Sequence, residues 1–139
     1  MPRLTRWFIK TALVYFVVGL FVGVLVVSRF VFRLPDIIGA LGPAYFHLLM
    51  VGWVMQLIVG VAFWMFPKFT AEQPRGNETL GWVTYILLNA GLILRVISEP
   101  PNAVWPQPLF GWPLAASAVL QWLAGMLFVI NTWRRVKEK

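Results

Sequence analysis

The sequence predicts an all-α integral membrane protein, a bundle of four transmembrane helices forming a single domain over residues 1–139. Three observations lead there. Of the residues, 60% are hydrophobic and only 12% charged, which is too little polar surface to cover a water-soluble globule of this size. The mean hydropathy of +0.76 agrees. The apolar residues gather in four runs, each long enough to cross roughly 30 Å of hydrocarbon at about 1.5 Å per residue. These runs predict helices over about 7–31, 43–67, 80–97 and 113–133.

The first helix opens with Arg3, Arg6 and Lys10 and is apolar from Ala12 onward. A basic start before an apolar run also describes a secretory signal peptide. Here Ser28-Arg29-Phe30-Val31-Phe32-Arg33 continues bulky and basic instead of offering a small-residue cleavage site, so the helix is read as retained. Gly19 and Gly23 give a GxxxG spacing that permits close helix approach. Leu34 to Pro43 then reads as a connector or a short interfacial helix bracketed by Pro35 and Pro43. The second helix starts at Pro43 and stops at Pro67-Lys68, as prolines at a helix start and just past its end suggest. FTAEQPRGNET, Phe69 to Thr79, is the most polar loop and holds neither a phosphate nor a metal motif. The third helix carries Asn89 inside and Arg95 in its last turn. After it, five prolines between Ser98 and Pro113, with Trp105, Phe110 and Trp112, predict an extended aromatic loop on the membrane surface. The fourth helix precedes the basic segment from Arg134 to Lys139.

The absence of cysteine excludes disulfides, thiolate metal sites, iron–sulfur clusters and thiol catalysis together. The net charge of +7 does not point to nucleic acid, because the basic residues sit at helix ends as topology signals and lipid-headgroup contacts. Of the 12 Lys and Arg, only Arg29, Arg33 and Arg95 fall on one side of the predicted bundle; the rest share the other side with both termini. The positive-inside rule then predicts cytoplasmic termini in a bacterial or archaeal inner membrane. Trp7, Trp64, Trp82 and Trp133 fall at the inner interface, and Tyr45, Trp105 and Trp112 at the outer one.

His47, the one histidine, lies in the uncharged run PAYFHLLMVGWVMQLIVGVAFWMFPK near the outer end of the second helix. Lipid offers an imidazole no hydrogen bond, so His47 must be satisfied by a neighbour or bind something. At about 100° per residue, Val51, Val54, Ile58 and Val61 share its side and Gly52 and Gln56 turn away. That aliphatic strip suits a porphyrin face and equally a helix contact. Met50, within one turn of His47, is a further candidate axial ligand, although methionine in an apolar helix is usually filler. Arg29, Arg33 and Arg95 are at the depth of His47, where guanidinium groups could pair with haem propionates. Gln56, Asn89, Ser117, Gln121 and Asn131 read as interhelical hydrogen bonds. No line of carboxylates crosses the membrane to serve a pump, and no nucleophile–base combination serves hydrolysis.

The stretch from His47 to Lys68 resembles the second transmembrane helix of the catalytic subunit of the haem-copper oxidase superfamily, which includes the nitric oxide reductases. There a histidine near the outer end is followed by a glycine-containing helix ending in proline, matched here by His47, Gly60 and Pro67. The resemblance implies that His47 is an axial ligand of haem b and that the chain is similar to one four-helix arc of the larger subunit. It also implies a likeness in topology, since the family's second helix descends from outside to inside.

The further histidines of that family's oxygen or nitric oxide reduction site have no counterpart here, so the isolated chain is not expected to be such an enzyme. One histidine per chain favours a homo-oligomer, a dimer or trimer with haem at or near an interface, or a five-coordinate iron; three copies of His47 could also gather a copper or zinc ion. The expected function is electron transfer or gas binding, with a respiratory-chain electron donor as partner and Tyr45, Val51 and Val54 close to the cofactor. The alternative is a cofactor-free accessory or assembly subunit of a respiratory oxidase complex.

Overall fold

The structure is a computed structural model that describes residues 1–136, and those residues form helices joined by short turns, with no strand among them. In order they are α1 (Arg3–Ser28), α2 (Asp36–Gly39), α3 (Gly42–His47), a π-helical segment (Leu48–Met55), α4 (Gln56–Met65), α5 (Glu78–Val104) and α6 (Pro108–Trp133). The helix α3, the π segment and α4 run on as one second span. Among the described residues four helical stretches are long and apolar enough to cross a membrane, Arg3–Ser28, Asp36–Met65 (α2 together with the second span), Glu78–Val104 and Pro108–Trp133, as expected of a multi-pass membrane protein.

Several boundaries differ from the sequence expectation. The helix α1 begins at Arg3 instead of residue 7, because nothing in the basic first turn breaks it, and ends at Ser28, before residue 31. The helix α5 runs to Val104, past the predicted end at 97 and through Pro100 and Pro101. Proline removes one helical hydrogen bond and crowds the preceding turn, but near a membrane an extended chain would expose more unpaired backbone than a helix with two missing bonds. Buried Pro100 sits in that last stretch, which Trp105 N–H closes by donating to Pro101 O at 2.8 Å. The helix α6 starts at Pro108, with proline at its first turn where its missing N–H costs least. The expected aromatic loop over 98–113 is therefore corrected to a three-residue link, 105–107.

At the start of α5, the Asn77 side chain accepts hydrogen bonds from Thr79 N (2.9 Å) and Leu80 N (3.2 Å), and Glu78 complements the helix dipole.

The helices α5 and α6 pack on each other as a hairpin, α1 packs along the second span, and the two pairs join through Leu4, Phe8, Val59, Phe63, Leu88 and Ala124. Lipid is as apolar as these side chains, so close fit holds them together more than water exclusion does. The GxxxG pair is used in this way: Gly19 faces Leu49, and Gly23 faces the Tyr45 ring.

Inside the bundle, Gln56 Nε2 donates to Asn89 Oδ1 at 3.1 Å, as expected of an interhelical pair. The remaining polar residues behave otherwise. Ser117 donates to Leu114 O in its own helix, and Asn131 ties α6 to the backbone of Asn77. Gln121 Nε2 is buried with no hydrogen-bond partner among the described residues.

Candidate functional site

His47 ends α3, where the chain passes into the π segment. Its Nδ1 lies 2.9 Å from Pro43 O, one turn back. A carbonyl only accepts, so Nδ1 carries a proton, and in the neutral ring the lone pair is then on Nε2. The same Nδ1 is 3.4 Å from Glu99 Oε2, and Glu99 Oε1 is 3.5 Å from Arg95 Nε. Three residues thus form a chain across the second span and α5: His47, then Glu99, then Arg95.

This cluster exists because α5 is longer than expected. With the helix continuing past residue 97, Glu99 stands one turn beyond Arg95 on the same face, the i,i+4 spacing of a helical ion pair. Sequence reasoning placed residue 99 in a loop and so passed over Glu99. The R-x-x-x-E spacing from Arg95 was the signal that could have found it.

The polar groups here are incompletely satisfied. Glu99 Oε2 and Arg95 Nε are buried with no hydrogen-bond partner among the described residues, while the His47 side chain keeps 26% of its surface exposed. Buried polar atoms left open mark water, an ion, a ligand or a functional group. The neighbouring π segment adds to this, since π turns inside α-helices occur often at functional sites.

The other expected site residues scatter around this cluster. Each π turn, closed by an i→i+5 bond, holds more residues than an α turn, so a 100° projection overruns across Leu48–Met55. The predicted aliphatic strip does not survive as one face: Val51 packs on the core, Val54 is half-buried, and Ile58 and Val61 are exposed. Met50 is exposed on the outside of the span. Tyr45 turns toward α1, against Gly23. Arg29 lies over the Phe30 ring, 5.0 Å from its centroid, and it lines with Arg33 a surface groove that does not include His47. Gly60 and Pro67, the other matched positions, act in packing and capping: Gly60 faces Phe8, and Pro67 O accepts from Arg135.

Among the described residues no group of three or more His, Asp or Glu side chains gathers as a metal site. The donor set at His47 is one imidazole with a carboxyl behind it, a set that could hold a haem iron. Compared with protein families, curated proteins and solved structures, the chain matches none.

Proposed function

We propose that the protein binds haem b through His47 and acts in electron transfer or gas binding, as a homo-oligomer in a bacterial or archaeal cytoplasmic membrane with both termini inside. The observation that carries this reading is the hydrogen bond from His47 Nδ1 to Pro43 O, which leaves the Nε2 lone pair of the neutral ring for a ligand on a partly exposed side chain. Ligating histidines characteristically give their other nitrogen to a carbonyl or carboxylate, which fixes the ring and raises its basicity. Glu99 adds a carboxyl on that same side, and Arg95 brings a guanidinium suited to a propionate. Haem held there would supply one-electron exchange or a gas-binding iron. With a single histidine per chain, a second axial imidazole would come from another copy.

Reduced-minus-oxidised spectra of the protein purified in mild detergent, after expression with adequate haem, test this. The native chain is expected to show a b-type signal that His47→Ala removes. A native protein without any haem band overturns the reading in favour of a cofactor-free accessory or assembly subunit. The cluster's second capacity, as a clamp between the second span and α5, favours that rival.

A further inference from the structure

Two grooves meet on the outer flank of α1, at the opposite end of that helix from Arg3. The first, of about 520 Å³, is lined by Leu20, Val24, Val27 and Tyr45 with Val31 and Phe32 at its end. The second, of about 410 Å³, continues from Val31 and Phe32 and is walled by Arg29, Arg33 and Asp36. The lining changes from aliphatic to basic over one turn of chain, and each volume falls in the range of ligand sites, roughly 300–1,000 Å³.

The charges in the second groove are not cancelled internally. Neither Arg29 nor Arg33 has a carboxylate oxygen within 4.0 Å among the described residues, Asp36 included. Arg29 is instead stacked on Phe30 and packed beside Gly39, which holds its guanidinium against the wall of the second groove. A cation fixed in this way presents donors in one direction.

We infer that the paired grooves bind one anionic phospholipid, an acyl chain lying along Val24 and Val27 and the phosphate reaching Arg29 and Arg33. Charge complementarity selects this occupant. A neutral or zwitterionic lipid would leave two guanidinium groups without a net counter-charge, and a soluble anion would leave the apolar groove empty. Val24 and Val27 are exposed on a helix apolar enough to span the membrane, so an acyl chain is the solvent this groove meets. The site is independent of haem at His47.

Native mass spectrometry of the delipidated full chain in detergent tests the proposal with phosphatidylglycerol and phosphatidylcholine of equal chain length. One phosphatidylglycerol is expected to be retained in preference, and Arg29→Gln with Arg33→Gln should reduce that preference about thirtyfold, at about 1 kcal/mol per basic residue near a lipid surface. Val24→Trp, which fills the apolar groove from an exposed position, should weaken both lipids alike. Equal binding of the two lipids by the native chain, or unchanged binding by either variant, overturns it. Loss of haem without change in lipid preference in the double arginine variant would also overturn it, by assigning those cations to propionates.

Discussion

The two ends of the bundle handle charge in opposite ways. At the end that holds Arg3 and the 66–77 link, Arg135 is 1% exposed and all three of its guanidinium nitrogens donate. Its Nε donates to Pro67 O (3.1 Å), Nη1 to Phe63 O (3.1 Å) and Arg75 O (3.4 Å), and Nη2 to Phe66 O (2.8 Å). The guanidinium caps the carbonyls at the C-terminus of α4, where a helix dipole also welcomes positive charge. Burial, and then the like charge of Arg75, lower its pKa, but arginine starts high enough to remain charged. Gly76, at φ 73°, makes the left-handed turn beside it, and Asn131 pins Asn77 there. At the other end, His47, Glu99 and Arg95 leave two buried polar atoms without hydrogen-bond partners among the described residues. One end is built to be closed, and the other keeps bonding capacity in reserve.

Breaking the closed end should have the largest effect on stability. Arg135→Ala would strip several carbonyls of a charged donor at once, and charged hydrogen bonds contribute about 1.5–3 kcal/mol each while water can replace part of this. A net loss of about 3 kcal/mol is expected, read as a lower melting temperature in detergent, with the His47 environment unaltered. Arg135→Lys should recover only part, because one ammonium cannot copy the planar fork. Melting within a degree of the native protein would show that the latch is not what holds this end.

These ends were unequally legible in the sequence. The four spans were readable because apolar length is a strong signal, and the interhelical bonding of Gln56 and of Asn89, though not their pairing, because polar residues inside apolar helices seek partners. Arg135 read only as one member of a basic tail. Its burial depends on the path of the 66–77 link, which no local pattern states. Glu99 was lost for a different reason, since two prolines directly after it gave a local stop signal that the membrane setting overrode. The π segment has no compositional mark in LLMVGWVM, so the face expected for His47 was projected on the wrong period.

Sharpening the comparison at the open end calls for Glu99→Gln. This variant keeps the shape of the side chain and one acceptor oxygen while removing the charge facing Arg95 and His47. Stability should fall by less than about 1 kcal/mol, in keeping with a long, partly open ion pair. Haem retention should fall by about 10–100-fold, the usual cost of losing a group behind a metal ligand. A melting loss as large as that of Arg135→Ala, with haem retention unchanged, would make the two ends equivalent and the triad a clamp.

The smallest effect is expected midway between the ends, where Gln56 and Asn89 meet. Gln56 is fully buried, its amide donates at 3.1 Å, and Asn89 Nδ2 returns a longer bond at 3.4 Å while also donating to Tyr85 O at 2.8 Å. Asn89 therefore keeps a partner in its own helix when Gln56 is lost, whereas Gln56 has no second protein partner among the described residues. A double-mutant cycle of Gln56→Leu and Asn89→Leu should give a coupling of about 0.6 kcal/mol, and no more than about 1.7, as for other hydrogen bonds between membrane helices. The single changes should be unequal, with Asn89→Leu the costlier because it strands the buried Gln56 amide. Equal single effects with no coupling would mean that the second span and α5 are joined by packing alone, leaving the two ends to set their register.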